Sequence, residues 1–537
     1  MKKTSIMVMA ALLILAVFAN AQTIHDPNSD LYRDIDRWSV QGYITEFLPM
    51  TRPYPMPLID KILDQVIEHG DAQAQSRAAA YRDSLAPGAR FIHPGVQAAF
   101  EGKNTQKSII GNLFAEGAFR INDLLAGSYN FSIYGLTDTK GGAFNVPGTY
   151  SPYQDFVYDV SNIGPVQIAP DWTSLFSVGS SDVYFQGGLS RASYGPFYDN
   201  GIVVGQQAPK SGHFDFVFYQ PKWSFEVLYL TISASDDFGN GIYSGKSAVF
   251  HTVNVRPIPA LELGITQTLV WGGRTELLYL IPFTYLFQSQ TIINFDDNAL
   301  IGLYFRWKPF DTLLTKGQVY IDDFSFNGLF TGDMKIKAAG ELGLSWAPKN
   351  SVLSKLDFDY TAVLPYTYTH WAIPDSYIYQ VDPAKKGPNY ENYSHLGKNL
   401  GPDLEPNSDR VSIRTSWNTL PQLDLNASAY LIRHANASAG KAGLDPVYND
   451  GSLFDHGSLG PAGNYEKNPY IYAWYLTQDL IETRLGATLG AVWKIPTNYG
   501  IFSLTGEYGM EYGWNRSLKE GDNGLDHFWS IGGMWSW

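Results

Sequence analysis

The feature that most constrains this chain is a two-residue alternation that begins soon after Gln106 and persists to the C-terminus. Ile301, Leu303, Phe305 and Trp307 alternate with Gly302, Tyr304, Arg306 and Lys308, and Leu356, Phe358 and Tyr360 alternate with Lys355, Asp357 and Asp359. The same grammar returns in Leu342–Trp346, Leu423–Leu431, Leu485–Trp493 and Phe502–Tyr512. Successive side chains of a strand point to opposite sides, so each run offers one apolar and one polar face. A soluble sandwich alternates too, and the extent of the pattern decides between them. Positions 108–537 comprise 430 residues, which at roughly 24 residues per strand and connection is room for about 18 strands. A sheet that wide leaves two long unpaired edges unless it closes on itself. The expectation is an all-β transmembrane barrel, antiparallel, of about 18 strands.

Composition and both ends of the chain agree with that fold. Apolar runs after the first 21 residues are broken every few positions by Gly, Ser, Asp or Thr, so no stretch reaches the roughly 20 residues of a transmembrane helix. The chain carries 35 Tyr, 30 Phe and 14 Trp against 17% charged residues, a load that suits aromatic girdles at two membrane interfaces. The final segment Ser530-Ile531-Gly532-Gly533-Met534-Trp535-Ser536-Trp537 alternates and ends on an aromatic, the pattern that barrel-assembly machinery reads in bacterial outer-membrane barrels. At the other end, Lys2 and Lys3, the apolar run Met7–Phe18 and the small-x-small site Ala19-Asn20-Ala21 form a cleavable signal peptide over 1–21. The expected location is the bacterial outer membrane, with outer-membrane lipid and the assembly machinery as partners. There is no cysteine, so neither disulfides nor a lipoprotein anchor are expected. A net charge of -14 argues against nucleic acid, which needs clustered Lys and Arg.

Residues 22–105 follow a different period and read as a periplasmic helical region, with the barrel over 106–537. Leu31, Ile35 and Trp38 recur at helical spacing after Asp30; Leu58, Ile62, Leu63, Val66 and Ile67 follow the proline-rich break Pro49–Pro57 and close at Gly70; Ala72–Leu85 forms a third segment. About 60 residues make a marginal core alone, so this small bundle is expected to pack against the barrel end and partly occlude it. The short turns Ala347–Ser351 and Pro496–Gly500 belong on the periplasmic side, and the long polar stretches 137–180, 381–409 and 434–468 on the extracellular side. Within the first of these, Val160–Gly179 carries Ile163, Ile168, Trp172, Leu175 and Phe176, enough apolar surface to fold into the lumen as a constriction.

Catalytic grammar is sparse. No metalloprotease, nucleophile-elbow or phosphate-loop motif occurs, and Gly239-x-Gly241-x-x-x-Gly245-Lys246 misses dinucleotide spacing. Asp455-His456 and Asp526-His527 are the nearest approach to a hydrolase site, and each lies in or beside a loop. No enzyme, cofactor or metal is expected. The more informative set is polar and lumen-facing: Arg191, Arg256, Glu262, Arg274, Arg306, Asp322 and Asp323, with Glu276 beside them. Such charges either fill the lumen as a structural network or line a ligand path, where Arg and carboxylates bond sugar hydroxyls and Tyr or Trp stack on pyranose faces.

Short motifs in a shared order give a family resemblance. Gly187-Gly188-Leu189-Ser190-Arg191-Ala192-Ser193-Tyr194-Gly195-Pro196 is followed by Arg256-Pro257, Leu261-Glu262-Leu263-Gly264, Gly272-Gly273-Arg274, Asp296-Asp297-Asn298 and Tyr320-Ile321-Asp322-Asp323-Phe324. Leu31-Tyr32-Arg33-Asp34-Ile35, Trp38, Gly42-Tyr43-Ile44 and Arg52-Pro53-Tyr54 precede them. Together these resemble the capsule assembly protein Wzi family over most of the chain. The resemblance implies an 18-stranded outer-membrane barrel with a periplasmic helical bundle, acting as a surface lectin that helps attach capsular polysaccharide. The loops at 381–409 and 434–468 match no family sequence, which leaves the polymer open. The expectation is a non-enzymatic barrel that binds or anchors surface polysaccharide; the alternative is an outer-membrane porin or substrate-specific channel.

Overall fold

The computed structural model describes residues 26–85, 92–122, 125–137, 161–197, 199–235, 242–295, 297–322, 337–370, 388–420, 422–436, 453 and 475–537. The expected signal segment 1–21, Asp323 and the Asp455-His456 pair lie outside them.

Three helices precede the barrel: α1 (Asp30–Gln41), α2 (Met56–His69) and α3 (Ala72–Leu85). Helix α1 stops at Gly42, whose φ of 79° is left-handed backbone that glycine adopts without strain, and the Tyr43 N–H turns back to the Trp38 carbonyl at 3.0 Å. Leu31, Ile35 and Trp38 of α1 bury against Leu58, Ile62 and Val66 of α2 and Ala74 and Ala78 of α3. These are the apolar positions whose helical spacing the sequence displays.

The barrel is a single closed antiparallel sheet of 18 strands. Its seam joins His93–Lys103 to the C-terminal strand Gly524–Ser536, with Val96 opposite Trp535 and Phe100 opposite Ile531. The barrel therefore starts at His93, and a boundary at 106 is too late by one strand. That strand carries Gly95, Ala98, Ala99 and Gly102, whose small side chains blur the apolar alternation. Elsewhere the alternation is carried into the wall: Leu303 and Trp307 face outward at 51% and 47% exposure while Tyr304 between them is buried. Trp223, Trp307, Trp346 and Trp493 stand exposed beside short connections at one mouth, where an aromatic girdle belongs. Both expected short turns, after Trp346 and after Thr497, open at that mouth.

Two connections fold into the lumen. The segment between Ser190 and Ser211 meets residues 364–370 and 388–407 there: the Tyr368 hydroxyl donates to the Ile202 carbonyl at 2.6 Å and the Tyr393 hydroxyl to the Val203 carbonyl at 2.7 Å. Tyr194, Ile202, Val203, Val204 and Leu400 make this an apolar plug of core. The expected constriction at Val160–Gly179 is instead the wall strand Val166–Gly179 with a short hairpin before it. Trp172 and Phe176 face outward and Leu175 inward, so the apolar density there is a two-faced strand rather than a buried loop.

A third connection does the opposite and folds back over the outside. Outward-facing Phe216, Val227, His251, Gln267 and Ile301 are Cα partners in one rank across five strands. Gln267 lies six residues above Leu261, which is level with the girdle residue Trp307; at about 3.4 Å per residue and a tilt near 40° the rank is roughly 15 Å above the girdle. Two polar side chains at that depth are covered by the flap that follows Gly272. His251 Nδ1 and Nε2 meet the Thr284 and Tyr279 carbonyls at 3.2 and 2.9 Å, and the Gln267 Oε1 accepts the Leu286 N–H at 3.0 Å at the start of α4 (Leu286–Ile293). Phe283 stacks on Phe225 at 4.1 Å and Tyr279 sits edge-on to Trp271 at 5.1 Å.

Candidate functional site

A cavity of about 850 Å³ occupies one side of the lumen. Its walls are chiefly the strands Ser408–Leu420, Leu423–His434, Glu482–Thr497 and Gly500–Trp514, joined by Asn130, Asp171 and Lys355 from other strands, and its floor is α1, which contributes Asp30, Arg33, Asp34 and Arg37. Inward-facing positions recur every second residue, which is why Arg410, Ser412 and Arg414 of one strand all reach it. Charge in the cavity is largely paired. Arg37 meets Asp34 at 2.9 Å, Arg77 bridges Asp34 and Asp424 at 2.8 and 3.1 Å, Arg414 pairs with Asp359 and with Asp199 at 3.2 Å, and Lys355 pairs with Asp36 and with Asp357 at 2.9 Å. Burial pushes the Asp36 carboxyl up, but Lys355 and Lys316 outweigh it and hold that carboxyl well below the usual carboxylate range. Hydroxyl and amide groups fill the intervals, among them the Ser428 and Thr488 pair at 2.7 Å.

The floor is fastened around the ring of strands. Asp60 pairs with Arg120 at 3.1 Å, Glu46 accepts the Tyr219 hydroxyl at 3.0 Å, the Ser39 carbonyl accepts from Lys308 at 2.9 Å, Gln41 donates to the Pro348 carbonyl at 3.0 Å, and Arg37 donates to Asn418 at 2.6 Å. Glu226 is the most heavily used anchor: it accepts the Met50 N–H at 3.1 Å, the Thr51 N–H at 3.1 Å and the Thr51 hydroxyl at 2.9 Å, while Ser224 donates to it from its own strand at 2.9 Å. Asp71 accepts N–H groups from Ala74 and Asn350 and the Tyr43 hydroxyl. Burial raises its carboxyl, and those donors lower it further than burial raises it.

The six described candidate residues do not form one site. Arg256, Glu262 and Arg306 do come together, with Glu262 meeting the two arginines at 2.7 and 3.1 Å. They serve the floor: Arg256 donates to the Thr45 carbonyl at 2.8 Å and Arg306 to the Ser39 hydroxyl at 3.0 Å. Arg191 lines the cavity but spends its guanidinium on the carbonyls of Gln206 and Ala208, bracing its own loop. Asp322 accepts the Tyr368 N–H at 2.6 Å and fixes the inner plug. Arg274 belongs to the external flap, where it pairs with Asp297 and lies 3.7 Å from the Phe295 ring. Glu276 caps the Leu278 N–H at 3.0 Å. The sequence reading passed over Arg410, Arg414, Tyr430 and Arg484, although Arg410-x-Ser412-x-Arg414 is a legible inward face. Asp526 and His527, as neighbours on a strand, point to opposite faces; Asp526 meets Lys103 at 3.1 Å and His527 the Tyr508 hydroxyl at 2.6 Å. Among the described residues no group of three or more His, Asp or Glu could hold a metal ion.

No family model matches the chain, and no curated protein matches it. Solved structures do. Wzi, an outer membrane protein involved in group 1 capsule assembly in Escherichia coli and a carbohydrate-binding β-barrel, superposes with a TM-score of 0.57 at 14% identity, covering 96% of this chain and 98% of that one. The outer membrane protein OprD from Pseudomonas aeruginosa aligns more loosely, with a TM-score of 0.41 at 9% identity over 83% of this chain and 92% of its own. OccAB2 from Acinetobacter baumannii gives 0.43 at 11% identity over 83% and 97%. The likeness to Wzi is one of fold, over nearly the whole length of both chains.

Proposed function

We propose that this protein is a non-enzymatic outer-membrane barrel that binds or anchors a cell-surface polysaccharide. The observation that carries the reading is the floor: the cavity descends through the lumen and ends on α1, in a helical region bonded to strands around the ring. A polar blind pocket suits retention of a ligand better than its passage. Hydroxyls, amides and ion-paired carboxylates along the wall match the hydrogen-bonding needs of sugars, and weak contacts to one repeat unit multiply along a polymer. The fold shared with Wzi, itself carbohydrate-binding, supports the same assignment. In this reading the signal segment 1–21 directs export, the barrel-assembly machinery inserts the chain, the exposed apolar wall meets lipid, and the short-turn mouth with its helices faces the periplasm.

The competing reading is a porin or substrate-specific channel. A strain lacking the protein is expected to shed surface polymer into the medium, and the purified barrel to be nearly silent in a planar bilayer until residues 30–85 are removed. Steady conductance by the intact protein, together with unchanged cell-associated polymer in the deletion strain, replaces the binding reading with the channel.

A further inference from the structure

Most basic side chains of the cavity have a carboxylate, and Arg191 has two carbonyls; Arg410 and Arg484 have neither among the described residues. Arg410, Ile432 and Arg484 are Cα partners on three neighbouring strands, so their side chains share one rank on the inner face. Strands lie about 4.8 Å apart, which sets the two arginines roughly 10 Å apart at the backbone and lets both guanidiniums reach a group placed between them. Arg410 is 5% exposed, and both arginines line the cavity. The Nε of each is buried without a hydrogen-bond partner, and neither arginine is in a salt bridge among the described residues. Glu341 and Asp403 act on Arg410 through space only. Glu341 shares the rank beyond Thr361 and accepts that hydroxyl at 3.2 Å.

The next ranks down complete the picture. Tyr430 is the Cα partner of Gly486, and its ring fills the space where any side chain would stand, since a Cβ there would lie 2.1 Å from the ring. The Tyr430 hydroxyl donates to Glu511 at 2.7 Å, which fixes the ring. Below it lies the Ser428 and Thr488 hydroxyl pair. A buried guanidinium with no carboxylate in contact, as at Arg410, is costly, and a ligand anion seated between it and the half-buried Arg484 reduces that cost.

We propose that the cavity takes an acidic saccharide, with the carboxylate of a uronic acid residue held between Arg410 and Arg484 and the sugar ring lying toward Tyr430 and the hydroxyl rank. The proposal rests on the polysaccharide-binding reading and adds the chemical class of the ligand. It also places recognition in the half of the lumen opposite Arg256 and Glu262.

The test is calorimetric binding to the full-length protein in detergent, using hexamers of galacturonate, mannuronate and guluronate, each beside its methyl ester. The ester keeps the shape of the sugar and removes the charge. At least one free acid is expected to bind about tenfold or more tighter than its ester, with the gap narrowing as salt is raised. Arg410→Gln and Arg484→Gln are each expected to lower acid affinity toward that of the ester while leaving ester binding unchanged. Heat-modifiable migration of both variants confirms a folded barrel. Equal affinity for acid and ester overturns the proposal and leaves polysaccharide binding standing. A preference for the acid that survives both substitutions overturns the assignment to these arginines. Failure of every acid and every ester to bind overturns this inference and the polysaccharide reading together.

Discussion

Replacing Glu226 by Leu should unfasten the helical region from the barrel. Leu keeps the volume and the burial but offers no acceptor, so the Met50 N–H, the Thr51 N–H and the Thr51 hydroxyl lose the bonds they now make at 3.1, 3.1 and 2.9 Å. Asn254, which donates to the same carboxyl group from the neighbouring strand, loses a partner as well. A net loss near 1 kcal/mol for each of the three bonds from the floor, with desolvated donors left behind, gives about 3–5 kcal/mol. At 1.4 kcal/mol per tenfold, hydrogen exchange at Met50 and Thr51, and through α1 if the floor moves as a unit, should quicken by about two to three and a half orders of magnitude. Exchange in the wall strands should stay as it was, because every cross-strand pair of Trp223–Ser235 remains. The milder Glu226→Gln keeps one oxygen and should fall between. If exchange at Met50 and Thr51 changes less than tenfold in the Leu variant while the barrel stays folded, Glu226 does not hold the floor.

Acid should loosen the same contact. The Asp36 and Asp71 carboxyls are held below their ordinary range in the folded protein, so the stability they contribute is complete above the unfolded carboxylate value of about 3.9 and is lost as pH falls through their folded values. Planar-bilayer recordings are expected to show opening events below about pH 3 and none at pH 5; silence at both pH values refutes the assignment. Arg274→Ala should release the external flap. Its partner Asp297 is almost fully buried while Arg274 is itself partly exposed, so the loss is about 1–3 kcal/mol. Hydrogen exchange over 275–295 should rise; unchanged protection there would show that the stacking of Phe283 and Tyr279 holds the flap unaided.

How much of this was legible depended on whether a residue's partner lay nearby in the sequence. Strands such as Asn298–Phe310 announce themselves because inward and outward residues differ in kind. His93–Lys103 did not, since Gly and Ala serve either face. Arg256, Glu262 and Arg306 are expected on the lumen face from their strand parity alone, whereas the bonds they make depend on Thr45 and Ser39, more than 200 positions away. Arg274 was misread because alternation gives the face of a strand and says nothing of a loop that doubles back. Arg410 and Arg484 escaped notice for a related reason: they are 74 positions apart in sequence and become a pair only through the register that Ile432 mediates.

The external flap gives the barrel a front. A wall that meets lipid evenly has no preferred azimuth, whereas the sector carrying His251 and Gln267 would present hydrogen-bonding groups to hydrocarbon at a cost of several kcal/mol each if it stood bare. In a bilayer that sector can therefore enter only already dressed. Docking of the segment around Tyr279 and Leu286 and insertion of these strands become a single step, and a chain that inserted first would have to solvate two polar groups in oil before its own loop arrived. The exposed Leu277, Ile281, Phe283 and Ile292 then continue the apolar sleeve across the flap, so one patch of the surface that meets the membrane is built from a loop and not from strand.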